Sequence, residues 1–118
     1  MIRIYLCDLV HDYTKNSDSY FVFPLNIGFV SAYCQQELGD EVDITLFKYP
    51  AKFEEAIKNC KPDIVGFSFY TWNEELVHHY TKKTKQLYPD TLIVFGDPNI
   101  VASEIGFEKF FNKYSFVV

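Results

Sequence analysis

The sequence predicts an α/β fold of one domain over residues 1–118, a doubly wound parallel sheet of five strands in the order 2-1-3-4-5 that lacks its last helix. Short apolar or β-branched runs alternate with longer stretches of helical period, the pattern of parallel strands joined by right-handed helical crossovers. The links between these runs are short except after the first. The last run, Tyr114-Ser115-Phe116-Val117-Val118, stops where a covering helix normally follows a fifth strand, so the domain reads as truncated at its carboxyl end. An uncovered strand edge of that kind invites self-association.

Ile2 to Cys7 is a short apolar strand closed by polar Asp8. A long polar loop follows to about Phe23, carrying His11, Asp12, Lys15, Asn16 and Asp18, and loops of this length in compact domains are commonly functional. Pro24 opens a helix to Leu38 and Gly39-Asp40 stops it, proline suiting the first turn and glycine the position after the last. Leu25, Ile27, Phe29, Val30, Ala32, Tyr33 and Cys34 leave this helix little polar face, so it is expected to be largely buried. Val42 to Tyr49 alternates as an edge strand does.

Phe53, Ala56, Ile57 and Cys60 form one stripe of an amphipathic helix. Ile64 to Phe69 is apolar on both faces, as a central parallel strand must be. Asn73 suits a helix N-cap, Glu74 and Glu75 its first turn, Lys82, Lys83 and Lys85 its later turns, and Pro89 its stop. Thr91 to Phe95 reads as the fourth strand and Gly96-Asp97-Pro98-Asn99 as a turn. A shorter helix begins near Ser103 with Phe107, Phe110 and Phe111 inward, and Ser115 to Val118 begins the fifth strand.

The net charge of −5 argues against nucleic acid, whose binders need a basic surface. Cys7, Cys34 and Cys60 form neither a CxxC pair nor a disulfide framework and read as reduced core residues. Asp8 interrupts any signal-peptide core, no run is long enough to span a membrane, and the expected location is cytoplasmic. An aromatic content of 19% implies that some rings lie outside the core, at a pocket or an interface.

In the order 2-1-3-4-5 the chain reverses direction across the sheet between strands one and three, so a crevice opens beyond their carboxyl ends. Ligand contacts are expected from Asp8 to Pro24, from the exit of the third strand, and from Gly96, Asp97, Pro98 and Asn99. Ser68, Tyr70, Thr71, Trp72 and Asn73 offer hydroxyls, flat aromatic cover and an amide at that exit. No side chain stands out as a catalytic residue or a metal ligand. His78 and His79 lie on the third helix without a third ligand, and are expected to face solvent.

A phosphoryl-accepting receiver is disfavoured because the third strand ends Ser68-Phe69-Tyr70-Thr71, with no carboxylate. A flavodoxin-like carrier of flavin mononucleotide stays open, although the loop after Asp8 holds no glycine before Asn26. The run Lys61-Pro62-Asp63-Ile64-Val65-Gly66-Phe67-Ser68, followed by Ile93-Val94-Phe95-Gly96-Asp97-Pro98-Asn99, resembles the amino-terminal cobalamin-binding domain of cobalamin-dependent radical S-adenosylmethionine enzymes, a flavodoxin-like domain. Pro24-Leu25-Asn26-Ile27-Gly28 is similar to that family as well.

The resemblance implies cobalamin as cofactor, with Pro24 and Asn26 added to the contacts. It also implies an iron-sulfur cluster and S-adenosylmethionine in sequence outside this chain, which has no CxxxCxxC motif. The family commonly has Gly-Gly-Pro where this chain has Gly96-Asp97-Pro98, and the Asp97 side chain alters the backbone's approach to the nucleotide tail. Asp8 and His11 are spaced Asp-x-x-His, unlike the Asp-x-His-x-x-Gly loop of methionine synthase, so His11 is not expected to ligate cobalt. The competing reading is a cofactor-free interaction or regulatory domain of the same fold.

Overall fold

The computed structural model describes residues 1–10 and 25–96. Four strands are β1 (Ile2–Cys7), β2 (Val42–Phe47), β3 (Ile64–Ser68) and β4 (Leu92–Gly96), and three helices are α1 (Leu25–Leu38), α2 (Pro50–Asn59) and α3 (Glu74–Leu87). The strands form one parallel sheet in the order β2-β1-β3-β4, the first four positions of the expected order. The proposed fifth strand, the helix near Ser103 and the edge expected to self-associate lie outside the described residues.

Register follows from which residues are apolar. Ile4 pairs with Ile44 on one side and Ile64 on the other, and Gly66 lies between Leu6 and Val94. Because side chains alternate along each strand, the sheet has two dissimilar faces. Tyr5, Cys7, Val65, Phe67 and Ile93 point to one, where they form a twelve-residue buried cluster with Phe53 and Ile57 of α2, Val77 and Tyr80 of α3, and Leu9, Phe47 and Phe69. Ile4, Leu6 and Val42 point to the other, where only Ile27 of α1 joins them fully buried.

That asymmetry corrects the expectation for α1. Phe29, Val30, Tyr33 and Leu38 are exposed, Phe29 at 70%. An apolar helix is buried only as far as neighbours exist to cover it, and α1 is the one described helix on its face of the sheet. Its length was read correctly: Gly39, at φ 53°, takes the left-handed conformation that ends a helix without a Cβ clash.

The cysteines depart from expectation too. All three are free, but only Cys7 is buried, while Cys34 is intermediate and Cys60 exposed. Cys60 falls one residue past α2, where it caps the helix with its backbone N–H on the Ala56 carbonyl, so the apolar stripe ends at Ile57. His79 is exposed and meets the Tyr80 ring edge-on, whereas His78 is half-buried with its Nδ1 atom wholly enclosed.

A Lys83–Glu54 ion pair ties α3 to α2, with Lys58 3.8 Å from the same carboxylate. The Lys83 hydrogen bond holds the Glu54 carboxyl below its usual range. A depressed acid stabilises the fold fully above its unfolded pKa, about 4.3, and loses that contribution as pH falls through the folded value. Glu54→Gln should therefore destabilise the protein near neutrality by up to about 1 kcal/mol. In chemical unfolding the gap to the unsubstituted protein should close in acid; a gap independent of pH would count against this pair.

Candidate functional site

β1 and β3 are adjacent, and the helices α1 and α3 lie on opposite faces of the sheet, the arrangement in which a crevice is expected beyond the carboxyl ends of these strands. Past Cys7 the chain stays pinned to β2: the Asp8 N–H donates to the Phe47 carbonyl at 2.9 Å and Val10 N–H to Lys48 at 3.1 Å. Past Ser68, the Phe69 N–H donates to the Gly96 carbonyl at 2.9 Å. Both exits are thus extended and fixed before they turn.

Asn73 joins them. It is completely buried, and its Nδ2 donates to the carbonyls of Leu9 at 3.2 Å and Ser68 at 3.0 Å, while its Oδ1 accepts from the Tyr70 N–H at 2.8 Å. It occupies the N-cap position of α3 without a side-chain bond to that helix. Asn73 therefore holds the site's loops together from within, and does not face the crevice.

Tyr70 and Trp72 stack with ring centroids 4.4 Å apart and planes 8° from parallel. Trp72 is 60% exposed, so the pair presents a flat apolar surface to solvent. The Tyr70 hydroxyl takes a hydrogen bond from the Asn26 amide at the start of α1, which ties the β3 exit to that helix. Asp8 follows β1 half-buried, and burial together with the Asp8 charge raises the Cys7 thiol well above its usual range. Cys7 is consequently an unreactive packing group.

Beneath α1 lies a pocket of about 330 Å³. Its roof is Asn26, Ile27, Phe29 and Val30 of α1, and its floor is the sheet, with Leu6 of β1, Gly66 and Ser68 of β3, and Val94 and Gly96 of β4. Gly66 keeps the floor low, since a Cβ there would lie 2.9 Å from Leu6 Cδ2. Ser68 is 4% exposed, and its hydroxyl makes no hydrogen bond to a described residue. A nearly buried hydroxyl facing an apolar cavity asks for a polar partner.

Of the residues anticipated from sequence, Asn26, Ser68 and Gly96 line this pocket, Tyr70 joins it through its hydrogen bond with Asn26, and Trp72 stacks on Tyr70, whereas Asp8 is not among the lining residues. Thr71 lies in the turn between Tyr70 and Trp72. Pro24, Asp97, Pro98 and Asn99 lie outside the described residues, as does His11. The sequence reading missed Gly66 and the α1 residues Phe29 and Val30. A glycine in the middle of a central strand was the available signal, because such a position marks close approach by another group.

A parallel sheet with a cavity at the carboxyl ends beside its switch point defines a ligand-holding α/β domain. The B12 binding domain family matches residues 15–107, most of the chain. The chain belongs to the B12 binding domain family, and cobalamin is the ligand that membership indicates. A comparison with curated proteins finds no match. Among the described residues no helix is long and apolar enough to cross a membrane.

Proposed function

We propose that this chain is a cobalamin-holding module, with the corrin ring over the carboxyl ends of β1 and β3 against the Tyr70–Trp72 stack and the nucleotide tail in the pocket beneath α1. Ser68 carries this reading: a nearly buried residue, it sets a hydroxyl in the wall of a largely apolar cavity and suits a ligand that is broad and apolar but has scattered polar atoms. Gly66 supports it, because the depth it leaves is what a Cβ would remove. Asn26 and Gly96 line the same pocket, and Asp97, Pro98 and Asn99 follow Gly96 directly in sequence.

The module's catalytic counterpart, on this reading, is a radical S-adenosylmethionine enzyme whose iron-sulfur cluster lies outside these 118 residues, in the cytoplasm. The resemblance of Lys61–Ser68 and Ile93–Asn99 supports that assignment, and three free cysteines suit a reducing compartment.

Incubation with hydroxocobalamin followed by desalting should leave stoichiometric cobalamin absorbance with the protein. Gly66→Val should weaken binding by about tenfold or more, or at least ~1.4 kcal/mol, while circular dichroism stays that of the folded chain. Protein that elutes colourless would overturn the proposal in favour of a cofactor-free interaction domain. Protein that retains flavin mononucleotide instead would mark a flavodoxin-like carrier.

A further inference from the structure

The Tyr70–Trp72 pair stands at the surface, yet its two rings lie 8° from parallel. We infer that Asn26 is a positioning residue for this platform: it holds the Tyr70 ring by the hydroxyl, so that the stack is already formed when a flat ligand arrives. For the identity of that ligand, the corrin, this rests on the cobalamin reading above.

A tyrosine side chain turns about two torsions, and freezing them only when a ligand binds costs affinity. The Tyr70 backbone is fixed beforehand. It is extended, at φ −120° and ψ 166°, and its N–H donates to the Oδ1 of buried Asn73 at 2.8 Å. That bond leaves the ring's torsions to other contacts. Trp72 meets one face of the ring at 4.4 Å between centroids, but Trp72 is itself 60% exposed. The Asn26 amide acts at the hydroxyl, the side-chain atom farthest from the backbone, where one hydrogen bond limits both torsions together.

The place of Asn26 in α1 suits it to this task. Its neighbour Ile27 is 5% exposed and packs with Ile4, Leu6 and Val42, so the first turn of the helix is pinned to the sheet although Phe29 and Tyr33 beyond it are exposed. From that turn the amide reaches a residue 44 positions away, on the loop between β3 and α3. Asn26 also lines the pocket beneath α1, so the same side chain stands between the surface proposed for the ring and the cavity proposed for the tail. Preorganisation of this kind raises affinity by removing an ordering cost, without a contact to the ligand from the residue that supplies it.

The chain holds a single tryptophan, so its emission reports on this stack alone. Asn26→Ala and Tyr70→Phe delete opposite ends of the one hydrogen bond. In the ligand-free 118-residue protein each should increase the quenching of Trp72 by acrylamide, while the far-ultraviolet circular dichroism stays that of the folded chain. Asn26→Asp, whose carboxylate accepts from the hydroxyl, should restore the quenching of the unsubstituted protein. Calorimetric titration with hydroxocobalamin should show each deletion weakening binding by roughly two- to tenfold. The double variant should lose no more than either single one, because both remove the same interaction. Quenching unmoved by both deletions would overturn the inference while leaving cobalamin binding intact. Losses that add in the double variant would overturn it as well, by marking Asn26 as a direct ligand contact. Failure of the unsubstituted protein to bind cobalamin would overturn the cobalamin reading and, with it, the platform's role, whatever the quenching shows.

Discussion

Phe53→Ala should cost about 3–5 kcal/mol, the range for removing an aromatic ring from a core that cannot collapse around the void. Phe53 on α2 is wholly buried, and four other rings surround it: Phe47 at 5.5 Å, Phe67 and Tyr80 each at 5.7 Å and Tyr5 at 6.3 Å between centroids, all near edge-on. Those rings come from β1, β2, β3 and α3, so the void would open where four elements meet. Domains are stable by about 5–15 kcal/mol, and this single change removes a large share. Urea unfolding should show a lower midpoint with unchanged slope, and Phe53→Leu should recover much of the loss. A midpoint close to that of the unsubstituted protein would show that Phe53 is not the centre of this core.

Asn73→Ala should cost about 2–4 kcal/mol, from three lost hydrogen bonds and the backbone groups left unsatisfied behind them. Shape is not the issue, and Asn73→Asp shows why. That change preserves size but sets a carboxylate oxygen against the Leu9 and Ser68 carbonyls, so near neutrality it should be at least as damaging as alanine. If the aspartate variant instead kept full stability, Asn73 would be acting as an ordinary helix cap. Cobalamin affinity should fall in both variants, because the Tyr70–Trp72 exit is anchored through the same amide.

Strand positions and their order were legible because burial imposes a pattern on the sequence itself. Ile2–Cys7 matches its expected bounds, Ile64–Ser68 falls one residue short of them, and the link from β1 across to β2 followed from handedness alone. Periodicity reports what a residue prefers, however, and coverage depends on the neighbours supplied. α1 was read as buried from composition, while its exposure depends on what else packs on that face. Cys60 continued the α2 stripe in sequence, yet the helix ended one residue earlier.

The candidate site divides along the same line. Ser68, Tyr70 and Trp72 suggest themselves as ligand contacts from sequence because a polar and aromatic exit from an apolar strand is a local feature. Asn73 was chosen for the correct chemistry and the wrong task, since its partner Leu9 is 64 positions away in the chain. The Asn26–Tyr70 bridge spans 44 positions and has no local signature either.

The two faces of the sheet also differ in how firmly they hold their helices. Opening α2 or α3 exposes Phe53, Ile57, Val77 or Tyr80, whereas among the described side chains of α1 only Ile27 is buried. Elements with few buried contacts open at a fraction of the global unfolding free energy. Backbone amides of α1 therefore meet solvent far more often than those of α2 and α3, and the loosest of the described helices is the one that roofs the pocket. A ligand lodged there closes the fold's weakest seam, so the slowing of amide exchange it causes is concentrated in residues 25–38.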